Sequence, residues 1–202
     1  MSSTLTSARF ATDFGELNVI ADDGVVVAAG FLPLAEVITH LPSAEARAGI
    51  EAGELPGIAD AVAAWEDGDA DAITRVPVRL AGSPFFTEVW ETLRTVPGGE
   101  VVSYAELAGM AGRPRAMRAA GTACARNAVG LFVPCHRVIA ARGRLGSYGF
   151  GGSGIKAAML AHEGVAIARG PVTEETLVGA DARAAAARTA PRVRVERPDG
   201  EW

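Results

Sequence analysis

Cysteine, histidine and lysine are scarce in this sequence: 202 residues contain two cysteines, three histidines and one lysine. Two cysteines do not make a disulfide framework, so free thiols in a reducing compartment are expected. The histidines are scattered and do not form the clusters with cysteine from which structural metal sites usually draw their ligands. The sequence therefore predicts no metal ion and no cofactor.

Long apolar runs are also absent. None approaches the roughly 18 to 20 residues of a membrane-spanning helix, and the opening stretch MSSTLTSARF lacks the basic-then-apolar order of a secretion signal. Yet 49% of the residues are hydrophobic, which is enough to bury a substantial core. We expect a globular protein of the cytoplasm that has no membrane partner.

Positive charge is low overall but unevenly distributed. The formal net charge of −5 argues against nucleic-acid binding. Between residues 101 and 160, however, there are eight cations and a single acid, Glu106, so this basic segment carries +7 and the rest of the chain −12. Such a segment is a candidate anion-binding face. The alternative is a bias of composition towards arginine.

The first part of the chain has the pattern of a small α/β unit. Two strand-like runs, ELNVIAD and GVVVAAGFL, are joined by Asp22-Asp23-Gly24 and predict a hairpin. Residues 43–66 have the alanine content and apolar spacing of one or two helices, and a strand is expected near residues 73–80. The acidic stretch 67–71 marks the expected linker region.

The second part opens with helix signals. Residues 83–93 begin with Ser and Pro and continue with apolar residues at helical spacing. Residues 103–106 form a capping box for a short helix that ends near Gly112, and another helix is expected over residues 114–126. Two short helices joined by a glycine-containing turn predict a helix-turn-helix, although most such pairs are only packing units.

The segment that follows is apolar and then rich in glycine. LFVPCHRVIA is predicted to be buried and extended, and RGRLGSYGFGGSG is predicted to be a loop that approaches a ligand closely. Helices are expected at about 154–163 and 173–188. The final PRVRVERPDGEW is expected to be extended or disordered.

Cys135 and His136 place a candidate nucleophile next to a candidate base. Cysteine attacks as the thiolate, and a thiol with a pKa of about 8.5 needs a neighbouring base, cation or helix N-terminus to ionise at neutral pH. In an extended segment the two side chains would point to opposite faces, so a water or a local bend would have to join them. Taken alone, an inert buried cysteine and a structural histidine are the alternatives.

The motif Pro134-Cys135-His136-Arg137-Val138, preceded by Asn127 and by the helix pair of residues 103–118, resembles the O6-alkylguanine-DNA alkyltransferases. These are also called methylated-DNA-protein-cysteine methyltransferases. The resemblance is strong over residues 86–164, weaker over residues 9–80 and absent after residue 166.

The resemblance implies an α+β fold in two domains and a tail. Residues 1–80 would form a small ribonuclease-H-like α/β domain. Residues 81–168 would form a mainly helical DNA-binding and active-site domain that contains the helix-turn-helix. Residues 169–202 are a C-terminal tail of unknown role. Deletion of residues 171–202 is expected to leave the transfer active, because every matched functional position precedes Gly164.

The function that the resemblance implies is DNA repair by a single, irreversible transfer of the alkyl group of O6-alkylguanine to Cys135, after nucleotide flipping. His136 matches the base that draws off the thiol proton through a water, and Glu163 matches the carboxylate that orients the histidine. Asn127 matches the asparagine that braces the turn before the active-site segment. Tyr104 matches the tyrosine that rotates the target phosphate and protonates the departing guanine.

The resemblance also implies contacts with DNA. Arg118 matches the arginine finger that fills the gap left by the flipped nucleotide. The other candidate DNA contacts are two arginines, three small residues that suit the narrow minor groove, and the tyrosine: Arg115, Arg126, Ala119, Ala120, Gly121 and Tyr104. The flipped base would be read by four residues: Val138, Leu145, Tyr148 and Gly149. The expected partner is double-stranded DNA bearing O6-alkylguanine, bound by a monomer.

Each assignment has a structural alternative. Glu163 is also compatible with a solvated charge at a helix end, Arg118 with an ordinary phosphate contact, Asn127 with a helix stop and Tyr104 with a packing aromatic. Cys124 has no catalytic partner in the pattern and is interpreted as structural.

Two other functions compete with repair. A non-catalytic lesion sensor, resembling the alkyltransferase-like proteins, would flip alkylated guanine and recruit repair factors, but those proteins lack the acceptor cysteine that is present here. A cysteine hydrolase built from Cys135, His136 and Glu163 would leave Tyr104 and Arg118 unexplained.

Three positions depart from the family pattern. Ala128 and Gly130 stand where many members carry prolines, and Phe150 adds a residue among the glycines that follow Tyr148. These differences bear on the range of alkyl groups that the pocket accepts and on whether O4-alkylthymine is a substrate.

Overall fold

The computed structural model describes residues 5–41 and 49–180. A four-stranded sheet in the order β3-β2-β1-β4 forms the N-terminal part. Its strands are β1 (Leu5–Thr12), β2 (Gly15–Asp22), β3 (Val25–Gly30) and β4 (Ile50–Ala52). β1 to β3 are antiparallel neighbours, whereas β4 is parallel to β1. The predicted hairpin between β2 and β3 is confirmed, and Gly24 takes the positive φ of 76° that its turn requires.

Helices make up most of the remainder. Those in the described ranges are α1 (Leu34–Thr39), α2 (Pro56–Glu66), α3 (Ala72–Arg75), α4 (Pro84–Leu93), α5 (Tyr104–Met110), α6 (Met117–Ala125) and α7 (Gly152–His162). Two short 3-10 turns occupy Cys135–Arg137 and Ala141–Gly143, and two short strands, β5 (Val102–Ser103) and β6 (Val138–Ile139), pair in parallel. Among the described residues, no helix combines the length and apolar composition that a membrane crossing requires.

One continuous core joins the two halves of the chain. It contains buried side chains from the sheet, such as Leu17 and Val19, from α2 and from the segment around Phe132 and Cys135. The edge of β3 also pairs with the segment that leads to the cysteine, because the N–H of Gly130 donates to the Ala29 carbonyl at 2.8 Å. The active-site region is thus packed directly against the N-terminal sheet.

Several local predictions for the first half need correction. The strand expected near residues 73–80 is wrong at its start, where α3 forms instead because the N–H groups of residues 72 and 74 bond to Asp69 and Asp71 carbonyls. Only Val78 bridges to the sheet, next to Val26. Strands β1 and β4 and helix α1 were not predicted. Of the helical stretch expected at 43–66, residues 43–48 lie outside the described residues and α2 confirms residues 56–66. The prediction is wrong at residues 50–52, which form β4.

The helix pair is confirmed in outline, and the capping box at Ser103 and Glu106 is present. The second helix begins at Met117 instead of residue 114. Gly112, at a φ of 72°, ends α5 and lets the N–H of Arg113 bond back to the Ala108 carbonyl at 2.8 Å. The residues from Gly112 to Ala116 form the connection between α5 and α6.

The predictions for the last part are of mixed accuracy. Helix α7 is confirmed with a shift of two residues at its start. The helix expected at 173–188 is wrong for residues 173–178, which pair with other segments, while residues 181–188 lie outside the described range. The final twelve residues, predicted as extended or disordered, also lie outside it.

Candidate active site

Cys135 lies in a 3-10 turn, not in the extended segment that the sequence predicted. The turn is closed by a hydrogen bond of 2.9 Å from the Arg137 N–H to the Pro134 carbonyl. With about three residues per turn, successive side chains are rotated by about 120° and do not point to opposite faces. Cys135 and His136 are both buried, at 7% and 0% exposure. The chain therefore bends locally at these two residues, as it must if the thiol and the imidazole are not to point to opposite faces.

Asn127 braces the loop that leads to the cysteine. Its Oδ1 accepts from the Val129 N–H at 2.9 Å, and its Nδ2 donates to the Val133 carbonyl at 2.9 Å and to Cys135 Sγ at 3.4 Å. Within this loop the buried Leu131 has a φ of 70°, a conformation that L-residues rarely adopt and that the surroundings must hold in place. Asn127 thus fixes the loop and presents a donor to the sulfur.

Glu163 follows α7 and is not a solvated charge, since its side chain is fully buried. Its Oε1 lies 3.0 Å from His136 Nε2. Because an ionised carboxylate only accepts hydrogen bonds, the neutral imidazole carries its proton on Nε2. The other nitrogen, Nδ1, is buried and has no hydrogen-bond partner within the described part of the chain. The ring is held in the tautomer that leaves Nδ1 able to accept a proton.

Arg137 was counted from the sequence as one of the cations of the basic segment, but it is fully buried. Its Nε and Nη2 donate to the two carboxylate oxygens of Glu163, both at 2.9 Å. The same guanidinium donates to the carbonyls of Val96 and Ala70 at 2.6 Å. Such a bidentate pair is strong and geometrically specific. A usable signal was its place inside an apolar segment, where a charge must find a partner.

The first half of the chain also contributes to this cluster. Trp65 of α2 is fully buried and donates from Nε1 to Oε1 of Glu163 at 3.1 Å. Asp71, in the acidic stretch expected as a linker, lies 3.3 Å from Arg137 Nη1. Sequence reasoning missed both residues, because no local pattern marks a partner that lies 98 positions away.

The buried charges determine the protonation of the pair. Burial would raise the pKa of Glu163, but its contacts with His136 and Arg137 outweigh burial and bring the pKa to about 2. Burial lowers the pKa of His136 below its ordinary value, against the opposing charge of Glu163. At neutral pH the pair is a carboxylate and a neutral imidazole.

The thiol itself needs this base. Burial raises the pKa of Cys135, while the donor of Asn127 and the charge of Lys156 act in the opposite direction. Lys156 is fully buried and donates to the carbonyls of Val138 at 2.7 Å and Ser147 at 3.2 Å. Burial lowers the pKa of Lys156 to about 8, so its ammonium form prevails at neutral pH. It is a buried cation close to the sulfur.

We expect the free energy of unfolding to decrease as the pH falls from 7 to 2. The pKa of His136 is lower in the folded state than its ordinary 6.5, so its contribution is present above pH 6.5 and is lost below it. The pKa of Glu163 is about 2 against an ordinary 4.5, so its contribution is lost between pH 4.5 and pH 2. Urea unfolding at a series of pH values measures both windows. Glu163→Gln should make the free energy of unfolding less dependent on pH between pH 4.5 and pH 2. An unchanged slope in that window would contradict the lowered pKa of Glu163.

Tyr104 begins α5 directly after β5. β5 pairs in parallel with β6, the strand that directly follows the active-site turn. Its ring lies beside Gly121 of α6, where an added Cβ would be 3.8 Å from the ring. Burial raises the pKa of Tyr104 to about 12, so the hydroxyl keeps its proton at neutral pH.

Of the predicted base-reading residues, Val138 begins β6 and the other three lie in the loop between β6 and α7. Val138, Leu145 and Tyr148 are buried, whereas Gly149 is exposed. The backbone N–H of Leu145 donates to the Thr176 carbonyl at 2.8 Å, so this N–H is not the group that would contact a base. The Tyr148 hydroxyl is buried without a hydrogen-bond partner among the described residues, and burial holds its pKa well above the ordinary value.

The predicted DNA contacts on α5 and α6 differ in exposure. Three arginines are exposed: Arg115, Arg118 and Arg126. Ala119 and Gly121 are half-buried, but Ala120 is fully buried, because the helical period turns it towards the core. Two residues that sequence reasoning missed, Met110 and Met117, are about half exposed on the same helices. The exposed face therefore includes apolar side chains and excludes Ala120.

The basic segment offers fewer surface charges than its sequence suggested. Arg137 and Lys156 are buried and hydrogen-bonded, and Arg144 lies 3.0 Å from the carboxylate of Glu175. Five of the eight cations are exposed. One is Arg142, and the other four are Arg113, Arg115, Arg118 and Arg126. All four lie between residues 113 and 126, so the positive surface is centred on α6 and the turn before it.

Two departures from the family pattern are explained by one contact. The ring of Phe150 packs against Gly130 and against Gly30 of β3, where an added Cβ would come within 3.0 Å and 2.4 Å of its Cδ1. Only glycine leaves room for the ring at Gly30 without a shift. Phe150 also lies edge-on to Tyr148, with ring centroids 5.6 Å apart. The additional loop residue thus anchors the glycine-rich loop to the sheet.

Comparisons with known proteins find similar sequences. A family model described as "6-O-methylguanine DNA methyltransferase, DNA binding domain" matches residues 84–165. Among curated proteins, the methylated-DNA–protein-cysteine methyltransferase of Shigella flexneri is 42% identical over 115 residues, which cover 57% of this chain and 67% of that protein. The protein of the same name from Salmonella typhimurium is 42% identical over 108 residues, 54% of this chain and 63% of that protein. The chain thus spans about two thirds of the length of these relatives.

The fold is also similar to that of solved structures. The crystal structure of Mycobacterium tuberculosis OGT in complex with DNA aligns with a TM-score of 0.65 and 30% sequence identity, covering 79% of this chain and 93% of that chain. That similarity covers a larger share of the chain than the residues 84–165 matched by the family model.

Proposed function

The chain belongs to the methylated-DNA–protein-cysteine methyltransferase family, and from that premise we propose that it repairs O6-alkylguanine in duplex DNA by moving the alkyl group onto Cys135. The observation that carries this proposal is the 3.0 Å contact between Nε2 of His136 and the Glu163 carboxylate, which sets the tautomer of the imidazole. Glu163 holds the proton on Nε2, so Nδ1 is left as an acceptor next to a cysteine that Asn127 braces. Nucleophile, base and orienting group lie in one buried cluster.

The proposed step is a displacement at the alkyl carbon. The thiol proton of Cys135 passes to Nδ1 of His136, through a water as the family resemblance implies. The sulfur then forms a bond to the alkyl carbon while the carbon–O6 bond breaks and its electron pair leaves with the guanine. Tyr104, whose raised pKa keeps it protonated, supplies a proton to the departing base. The product is a stable thioether, so one molecule repairs one lesion.

We propose that α5 and α6 form the DNA-binding helix-turn-helix. The arginines exposed around α6 supply sequence-independent contacts with phosphates. Arg118 fills the gap left by the flipped nucleotide, and the exposed Met117 beside it has the apolar character of side chains that wedge between base steps. The flipped base is read by the backbone at Val138 and Gly149 and by the ring of Tyr148.

The finer architecture is part of the same proposal. Residues 1–80 are a ribonuclease-H-like domain, in keeping with three antiparallel strands followed by a strand parallel to β1. Residues 81–168 are the DNA-binding and active-site domain. The shared core and the Trp65–Glu163 hydrogen bond suggest that the first domain supports the catalytic cluster as well as the fold.

The competing function is a non-catalytic lesion sensor. It is disfavoured because Cys135 is present and lies within hydrogen-bond distance of Asn127 and next to the oriented His136. A cysteine hydrolase would use the same three groups but gives no role to the exposed arginines of α6.

The intact mass after mixing with duplex DNA that contains O6-methylguanine tests the function. We expect a stable gain of one methyl group, confined to the peptide that contains Cys135, at a stoichiometry of one per chain. DNA binding without a gain in mass would favour the sensor. Turnover with no adduct would favour the hydrolase.

Arg118→Ala should slow transfer from duplex DNA by roughly tenfold to a hundredfold at saturating DNA, because flipping costs a few kcal/mol and the gap is no longer filled. Reaction with free O6-methylguanine should be unchanged, since a free base leaves no gap. Single-turnover rates on the two substrates measure this. Arg113→Ala, which removes an exposed arginine from the same surface, should keep the duplex rate at saturation. Equal slowing on both substrates would exclude the finger role.

A further inference from the structure

Residues 173–179, here called the strap, continue beyond the family motif and turn back along the glycine-rich loop. Three backbone hydrogen bonds of 2.8 Å join the strap to residues 143–146: Leu145 N–H to the Thr176 carbonyl, Gly146 N–H to the Glu174 carbonyl, and Val178 N–H to the Gly143 carbonyl. An ion pair of 3.0 Å between Arg144 and Glu175 adds a side-chain contact. The strap therefore forms an additional edge of the loop.

The other side of the strap is bonded to the segment after α7. The N–H of Ala168 donates to the Leu177 carbonyl at 2.9 Å, and the N–H of Gly179 donates to the Ala166 carbonyl at 2.7 Å. Because it is bonded on both sides, the strap lies between the start of the loop and the chain that follows Glu163. An element bonded on two sides restricts both segments.

One side chain of the strap completes a small separate core. Val178 is 1% exposed and packs in a cluster with buried side chains from β6, the loop, α7 and the segment after it: Ile139, Leu145, Ala157, Leu160 and Val165. Without Val178, the cluster would lose the wall that closes it on the side of the strap. Val172, just before the strap, is exposed at 41% and belongs to no such cluster.

The strap also lies close to residues of the proposed active site. Ile139 follows Val138 directly, and Leu145 precedes Tyr148 by three positions, so the cluster supports two of the proposed base-reading residues. The negative charge of Glu174 acts on both Lys156 and Tyr104, in each case raising the pKa. The N–H of Gly146 donates to the strap, and a Cβ added at Gly146 would lie 3.9 Å from Lys156 Nζ. The strap is thus a neighbour of the pocket.

We propose that the strap is a positioning element for the base-reading loop, and that the functional unit of this chain extends to Gly179. This inference rests on the proposed function. By holding residues 143–146 against α7, the strap fixes where Val138, Tyr148 and Gly149 meet the flipped base. It acts through those residues and takes no part in the bond changes at Cys135. The expectation that residues 171–202 are dispensable is accordingly restricted to residues 181–202.

The first test compares Val178→Ala with Val172→Ala in the full chain. We expect Val178→Ala to slow methyl transfer from free O6-methylguanine several-fold, because the pocket loses its fixed shape. Alkylation of Cys135 by iodoacetamide, which needs the thiolate but no base pocket, should be retained or faster. Val172→Ala should match the parent in both reactions. Thermal melts confirm that each variant is folded at the assay temperature.

The second test uses truncation. A chain that ends at Ala180 should transfer methyl groups as fast as the full chain. In a chain that ends at Gly170, the rate of transfer from free O6-methylguanine should fall by about tenfold to a hundredfold, as expected when a binding group is misplaced by about 1 Å. If full-length protein does not transfer methyl groups at all, the proposed function fails. If it does, but Val178→Ala and the Gly170 truncation react with the base as fast as the parent, the strap has no positioning role. Equal loss of base and iodoacetamide reactivity would also overturn it.

Discussion

Cys135→Ala should abolish methyl transfer completely while leaving the affinity for duplex DNA close to that of the parent. The thiol supplies the only bond to the alkyl group in the proposed step, whereas affinity comes from the exposed arginines around α6. The substitution removes only one buried sulfur atom, so the cost in packing should be small. It also removes the acceptor of one Asn127 hydrogen bond. Intact mass and fluorescence anisotropy on the same DNA measure the two properties.

Cys124→Ala is the matched control. Cys124 is also buried, near the C-terminal end of α6, and burial raises the pKa of its thiol far above the ordinary value. A thiol held in its protonated form does not act as a nucleophile. This variant should take up one methyl group per chain as the parent does. Transfer by Cys135→Ala, or loss of transfer only in Cys124→Ala, would show that the acceptor has been assigned to the wrong cysteine.

Arg137→Met should cost about 3 to 5 kcal/mol of unfolding free energy, the usual range when one partner of a buried ion pair is removed. The guanidinium satisfies both oxygens of Glu163 and the carbonyls of Val96 and Ala70, and all of these would lose a donor inside the core. For a chain of this length the melting temperature should fall by roughly 6 to 20 °C if unfolding is near two-state. Urea unfolding at neutral pH gives the free energy directly.

The double variant with Glu163→Gln separates an uncompensated charge from lost packing. If the cost of Arg137→Met arises from the carboxylate left behind, neutralising Glu163 should recover part of the stability, so the two effects should be less than additive. Arg115→Met, at an exposed position, should change stability by no more than about 0.5 kcal/mol. Full additivity, or a cost for Arg137→Met as small as that of Arg115→Met, would contradict the role of the buried pair.

The expected effects on activity and on stability converge on one carboxylate. Glu163 contacts His136, pairs with Arg137 and accepts from Trp65, so the proposed chemistry and the junction between the two halves of the chain depend on the same group. Removing any of these partners should therefore change the base as well as the fold. A pH profile of the transfer rate distinguishes the two, because only a change at His136 moves the profile along the pH axis.

The local elements could be predicted where the signal is local. The capping box at Ser103, the Asp-Gly turn before β3 and the proline at the start of α4 each act within a few residues, and all three are present in the structure. Predictions failed where a local pattern competed with other contacts. The strand expected near Ile73 became α3, and the extended segment around Cys135 became a 3-10 turn.

The departures from the family pattern illustrate the same limit. From the sequence, Gly130 and Phe150 were two separate differences with no known relation. The structure shows that the ring of Phe150 occupies the space that Gly30 and Gly130 leave, so the differences form one packing unit. Their separation in the sequence hid this relation, because van der Waals contact is decided only after the sheet and the loop have come together.

The sequence by itself determined the family and the proposed acceptor cysteine with its proposed base, because these are contained in one short motif. Only the tertiary structure decided that Arg137 and Lys156 are buried, that Trp65 bonds to Glu163, and that the strap borders the base-reading loop. The physical reason is the range of the interactions. Capping, turns and helical periods act over a few residues, whereas burial of a charge and pairing of distant segments depend on which surfaces the whole chain brings into contact.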